Sequence, residues 1–321
     1  MISATNAWLK TLTSAQRDTA TYDFDDTASK QQWSNFPAFF KPRTGVAYKD
    51  MSAAATKAGL ALVKAVLSSQ GYKQYSDTRN ADDYLGATDS GGGPGRASSA
   101  NTSGRTSPAA SARDGNGQFG RNNFYISVFG TPSATQPFMV SFNGHHLSYN
   151  LTFGATAIGN TPQFNGTEPS KFVLDKTTYE PMKQESDAVF GLLSKLPAAA
   201  KLNQSFDDVL VGPQKDGQFP AEQSGVKVSD LPAAAQKYVT DLITAYIGDL
   251  PPAVSKPLIA KYKSQYAKTY VSYAGGTTDT RGTYLRIDGP QAWIEFAVQS
   301  TDEGSSHYHS VYRDKQHDYG A

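Results

Sequence analysis

The spacing of apolar positions divides the chain into helical and extended stretches that alternate twice. A helical period over residues 7–19, with Asn6 as its N-cap, opens the chain. Ser52 then starts a helix reaching residue 70: Leu60, Val63 and Leu67 recur at helical spacing with Ala61 and Ala65, and Gly71 stops it. From Asn123 the period changes to two. Residues 124–129 and 138–142 read as strands, Asn143-Gly144 as a two-residue hairpin turn, and residues 145–153 as the returning strand. Helices are predicted again over 185–196, 232–247 and 254–270, then strands over 283–287, 293–298 and 307–313. The pattern predicts an α+β fold.

That order is echoed by motifs. Phe24-Asp25-Asp26 recurs as Phe206-Asp207-Asp208, and Gly45-Val46 with Asp50-Met51 recurs as Gly225-Val226 with Asp230-Leu231. Tyr125 before Gly130-Thr131-Pro132 recurs as Tyr284 before Gly289-Pro290, and each unit closes on a histidine motif. The matches predict two sequence-related halves, residues 1–170 and 171–321, forming one compact unit by pseudo-twofold duplication. Residues 86–117 differ in kind: rich in Gly and Ser and without an aromatic residue, they cannot repay their ordering entropy by burial. They are expected to be an inserted loop, either a bare connection or a lid over substrate.

Composition narrows the function classes. Lys+Arg of 30 against Asp+Glu of 29 leaves a net charge of +1, which gives no electrostatic case for nucleic acid or an anionic membrane. No stretch approaches the roughly 20 apolar residues of a membrane span. Cysteine is absent, which excludes disulfides, thiolate catalysis and cysteine-ligated zinc. A charged fraction of 18%, with 18 Tyr and 28 Gly, points to an extracellular or periplasmic protein. The first six residues carry neither the basic nor the apolar region of a signal peptide.

The chemistry rests on five histidines: His145, His146, His307, His309 and His317. On a strand His307 and His309 share a face, about 7 Å apart at Cα, as two imidazoles converging on one ion require. His145 shares its alternation with Leu147, Tyr149 and Leu151, whereas His146 shares its own with Ser148, Asn150 and Thr152, so His146 is the better ligand and His145 the weaker. Glu295, a carboxylate between Ile294 and Phe296, is the expected fourth ligand or a general base. Arg286, sharing a strand face with Tyr284, and Arg313, sharing one with His309, are expected to clamp an acidic group of substrate. The set predicts one divalent transition metal, zinc foremost, with iron, manganese or copper as alternatives. A hydrolase acting on a small acidic or polar substrate through metal-activated water follows, with an oxidoreductase or a non-catalytic exported metal- or ligand-binding protein as alternatives. No phosphate-binding loop, serine-nucleophile elbow or His-Glu-x-x-His helix is present.

Several of these segments also carry a family likeness. Phe24-Asp25-Asp26 with Trp33, Val128-Phe129-Gly130-Thr131-Pro132-Ser133, Gly144-His145-His146-Leu147-Ser148 and His307-Tyr308-His309-Ser310-Val311-Tyr312-Arg313-Asp314 resemble the family catalogued as domain of unknown function 3500, along nearly the whole chain. Residues 86–117 and Gln299-Ser300-Thr301 depart from its pattern. The resemblance brings no activity with it; it implies that both histidine motifs belong together, in favour of the metal site.

Overall fold

The computed structural model describes residues 1–88, 119–154, 159–302 and 305–320. The Gly/Ser-rich loop expected over 86–117 therefore lies outside the described residues, except for its first positions, which end a helix. Where one opening helix was expected there are two, α1 (Ile2–Thr11) and α2 (Ser14–Ala20). Thr13 divides them: its hydroxyl accepts from the Gln16 N–H while the Gln16 side chain accepts from the Thr13 N–H, a reciprocal capping box. Strand β1 (Thr21–Tyr22), helix α3 (Thr27–Lys30), capped by Asp26, and strand β2 (Val46–Ala47) follow.

Helix α4 (Ala53–Val66) is capped by Ser52 as expected and buries Ala55, Gly59, Leu62, Val63 and Val66. Gly71 does not end it. It sits in the first turn of the next helix, α5 (Ser69–Thr88), where a Cβ would press 2.8 Å from Asp249. Apolar periodicity could not find α5, because its buried face is largely polar: Gln74, Asp77, Arg79, Asp82 and Asp83.

The remaining elements are strands β3 (Tyr125–Phe129), β4 (Phe138–Gly144), β5 (Leu147–Phe153) and β6 (Gln163–Thr167); the hairpin β7 (Phe172–Leu174) and β8 (Thr177–Tyr179); helix α6 (Lys183–Leu193); β9 (Val226–Lys227); helices α7 (Ala233–Ile247) and α8 (Pro252–Ser264); and strands β10 (Tyr270–Ala274), β11 (Tyr284–Asp288), β12 (Ala292–Asp302) and β13 (Ser305–Asp314). The helix expected over 254–270 stops at Ser264, and Tyr270 already belongs to β10. Among the described residues the chain is a mixed α+β fold with eight α-helices and one large, mostly antiparallel sheet. The sheet has eleven strands, in the order β1-β3-β4-β5-β6-β13-β12-β11-β10-β9, with β2 also beside β3.

Alternation gives the sheet two unlike faces. Leu147, Tyr149 and Leu151 on β5, and Tyr308 and Tyr312 on β13, face a layer built from α4 to α8. The opposite face carries Phe129, Met139, Phe164, Trp293 and Val311, covered by Trp33, Val211 and Tyr319 from loop segments and the C-terminus. The histidine site lies on this second, loop-covered face.

Two local findings place it. The β4–β5 hairpin turns at His145-His146, not at Asn143-Gly144: Gly144 pairs with Leu147, and His146 takes a left-handed φ of 58°. The expected strand alternation of these two histidines thus gives way to turn geometry. Strand β6, with Phe164 as its only large apolar residue, was not expected from sequence, yet it bridges β5 and β13. The two histidine motifs accordingly hold different positions, one a tight turn and the other the interior of the last strand.

Candidate metal centre

His307 and His309 are on β13, with His309 paired to Gly166 on β6. Both side chains leave the loop-covered face, as their spacing of two demands. The turn at His145-His146 folds over the end of β6, where the Gly166 N–H donates to the His146 carbonyl at 2.7 Å. Glycine at 166 keeps the space for the His146 ring, since a Cβ there would lie 3.0 Å from His146 Cδ2 and from the Tyr308 carbonyl.

Three imidazole nitrogens converge as a result. His307 Nε2 lies 2.9 Å from His309 Nε2 and 3.0 Å from His146 Nε2, and the last two are 3.3 Å apart. Residues 161 or more positions apart thus join in one buried group able to hold an ion. Nitrogens bound to one divalent metal at about 2.0–2.1 Å are separated by about 2.9 Å at right angles and about 3.4 Å at the tetrahedral angle. The three observed separations fall within that span.

The outer nitrogen of His309 fixes its tautomer. His309 Nδ1 lies 2.9 Å from Asp208 Oδ1 and His307 Nδ1 lies 3.6 Å from Glu168 Oε2. A protonated Nδ1 facing a carboxylate leaves Nε2 as a bare lone pair, the state that binds metal. Burial first, and then the neighbouring imidazoles, push the pKa of His146 and His307 well below the usual histidine value, so both rings are held neutral. Lone pairs aimed at one point repel, and a cation between them reconciles the arrangement.

His145 stands outside this trio. Its ring stacks on His146 with centroids 3.7 Å apart, and its Nδ1 meets Asp82 Oδ1 of α5 at 2.7 Å. Asp82 also accepts from the Gly120 N–H at 2.8 Å. His145 therefore backs the His146 ring and ties it to α5. His317 lies near the C-terminus, with Nδ1 3.2 Å from Asp314.

Glu295 is not gathered with the histidines. Its Oε1 accepts from the Leu210 N–H and the Tyr284 hydroxyl, both at 2.6 Å, and its Oε2 accepts from the Val211 N–H at 2.8 Å and Trp293 Nε1 at 2.7 Å. Burial raises its pKa while these donors pull it down. The carboxylate fastens the loop that carries Asp208, and so acts on His309 at one remove. Arg313 is equally committed. Its Nε and Nη2 donate to the Val211 and Gly212 carbonyls, and its Nη1 reaches Asp216 and Asp318, each at 2.9 Å. Arg286 is buried, with its guanidinium carbon 5.2 Å from the centre of the Trp293 ring.

Sequence reasoning missed Asp208, Glu168, Asp82 and Asn35. The Asn35 side chain lies 3.5 Å from His309 Nδ1, and its carbonyl accepts from the His146 N–H at 3.3 Å. The signal for Asp208 was visible in the repeated Phe-Asp-Asp, where a turn-forming role was the simpler explanation. Asp82 was hidden in a helix whose apolar pattern is too weak to read.

The sequence matches the family described as "Protein of unknown function (DUF3500)" over residues 1–321, and the chain belongs to that family. No curated protein matches it, and no solved structure does.

Proposed function

We propose that His146, His307 and His309 hold one divalent transition metal, and that the protein is a metal-dependent hydrolase acting on a small polar substrate. The convergence of three Nε2 atoms, two of them backed by carboxylates at Nδ1, carries the reading. Three neutral nitrogens suit zinc first, and iron, manganese or copper after it. When bound, such an ion would acidify a coordinated water towards neutral pH. The chain's own groups supply the rest. His307 has the most exposed ring of the three and marks the open side. Glu168 and Asp208, partly exposed, sit at the outer nitrogens of His307 and His309, where they would orient the rings and raise their basicity. Their two negative charges offset a divalent ion, so the site favours a neutral polar group over the acidic one expected from Arg286 and Arg313.

Oxidation at the same three-nitrogen centre is the second reading, favoured by the two separations near 2.9–3.0 Å, which match ligands at right angles and leave several positions open. Composition supports a place outside the cytoplasm. The duplication of residues 1–170 and 171–321 is supported by the runs β3-β4-β5-β6 and β10-β11-β12-β13, which meet at β6 and β13, although on this correspondence Tyr125 and Tyr284, and the two histidine motifs, fall on different strands. It is also supported by Gly45 and Gly225, which take φ of 96° and 101° and whose missing Cβ would each collide with a strand carbonyl. Superposing β3–β6 on β10–β13 tests it; a mismatch of pairing register would end it.

Elemental analysis of protein purified without a histidine tag tests the metal. We expect about one ion per chain, loss of that ion in the His307→Ala/His309→Ala variant, and its retention in His145→Ala. Equal metal in wild type and the double variant would overturn the proposal.

A further inference from the structure

Six large apolar side chains stand exposed among the described residues: Met1, Phe36, Phe39, Phe40, Val173 and Leu210. Met1 is the terminus and Val173 is on the β7–β8 hairpin. The other four lie on the two segments that touch His309. Phe36 follows Asn35, whose side chain faces His309 and whose carbonyl binds the His146 N–H. Leu210 lies two residues beyond Asp208, the partner of His309 Nδ1. Isolated exposed apolar residues need no explanation, but a gathering on the segments that touch a buried polar site does.

The two segments are rigidly held. Buried Arg43 closes the first by donating to the carbonyls of Ser34, at 2.7 Å, Phe36 and Lys41. Buried Trp33 anchors its start through Nε1 to the Tyr319 hydroxyl at 2.7 Å. The second segment is fastened by Glu295 at Leu210 and Val211, and Gln214 joins the two by donating to the Trp33 carbonyl at 2.7 Å. Phe39 and Phe40 lie against each other with centroids 3.8 Å apart, and Phe36, Phe39 and Phe40 keep 44%, 47% and 46% of their surface exposed. A mobile loop would fold such rings inward. This frame holds them out.

We propose that Phe36, Phe39, Phe40 and Leu210 form an apolar wall beside the histidine centre, and that the substrate carries an aromatic or aliphatic portion next to the polar group that reaches the imidazoles. The inference rests on the metal reading above. It makes these four residues determinants of specificity, separate from the polar groups that hold the ion.

The test uses zinc-loaded protein and two neutral chelating probes, acetohydroxamic acid and benzohydroxamic acid, titrated by calorimetry. The phenyl ring should bring at least about a tenfold gain in affinity for the wild type. That gain should vanish in Phe36→Ser/Phe39→Ser/Phe40→Ser, with zinc content and acetohydroxamate affinity unchanged, and should survive in Val173→Ser. Equal affinity of both probes, or a gain that persists in the triple variant, overturns the inference while leaving the metal centre standing. Failure to bind zinc, iron, manganese or copper overturns the metal reading instead, and this one with it. Flotation with phosphatidylcholine vesicles provides a further arm: wild-type binding abolished in the triple variant, without a phenyl gain, would assign the wall to a membrane surface and overturn the substrate reading.

Discussion

Replacing Glu295 by Gln preserves shape and removes charge at a carboxylate that four donors address. An amide has one oxygen and one NH2. With the NH2 at the Oε2 position, two donors, the Val211 N–H and Trp293 Nε1, lose their acceptor. With the NH2 at the Oε1 position, the Leu210 N–H is orphaned and the Tyr284 hydroxyl must reverse its role. An unsatisfied buried donor costs about 1–3 kcal/mol, and the surviving bonds lose their charge assistance. Relief from holding a buried charge offsets part of this. The expected loss is about 2–4 kcal/mol, read as a lower urea midpoint of Glu295→Gln in metal-free protein at pH 7.5. The metal-free condition is decisive. A carboxylate that served as a ligand would leave the empty protein as stable without its charge, or more so, whereas one that anchors residues 208–211 costs stability whether or not an ion is present. A variant within about 0.5 kcal/mol of wild type, which is no more than an ordinary surface substitution, would refute the anchoring argument.

Three further outcomes follow from the same contacts. Asp208→Asn should weaken zinc binding about 10- to 100-fold in a competition titration, because it loosens the Nδ1 partner that orients His309; unchanged affinity would remove Asp208 from the site. Gly166→Ala puts a methyl group 3.0 Å from the His146 ring and should cost about 1–3 kcal/mol of stability with a drop in zinc affinity, measured by melting and calorimetry. On the helix side of the sheet, burial lifts Glu185 to about 8 and Asp249 to about 7, above their unfolded values. The folded state therefore binds more protons than the unfolded one between the two sets of pKa values. Their stabilising share is whole below about pH 4 and declines as pH rises to about 8. Urea unfolding at pH 5, 7 and 9 should show wild type losing a few kcal/mol across the series and Glu185→Gln losing less; parallel curves would sink the argument.

Much of the fold was legible because it is written in apolar period and cap chemistry. Ser52 and the residues after it specify α4, and alternation specifies β3, β4, β12 and β13. The elements that escaped are those whose burial is polar. Helix α5 buries carboxylates and an arginine, and β6 buries Gln163, Asn165 and Thr167, so neither offers the periodic apolar signal that reveals an element.

The candidate site divides in the same way. By itself the sequence determined that no metal ligand would be a cysteine, and that His307 and His309 share one face of a strand. Only the tertiary structure decided that His146 joins them while His145 turns to Asp82, that Glu295 serves a loop, and that Asp208 and Glu168 back the imidazoles. The physical reason is that these choices depend on a left-handed turn at His146 and on strand pairing between residues 140 or more positions apart. No local pattern encodes contacts across such distances; they form when β6 joins β5 and β13 in one sheet.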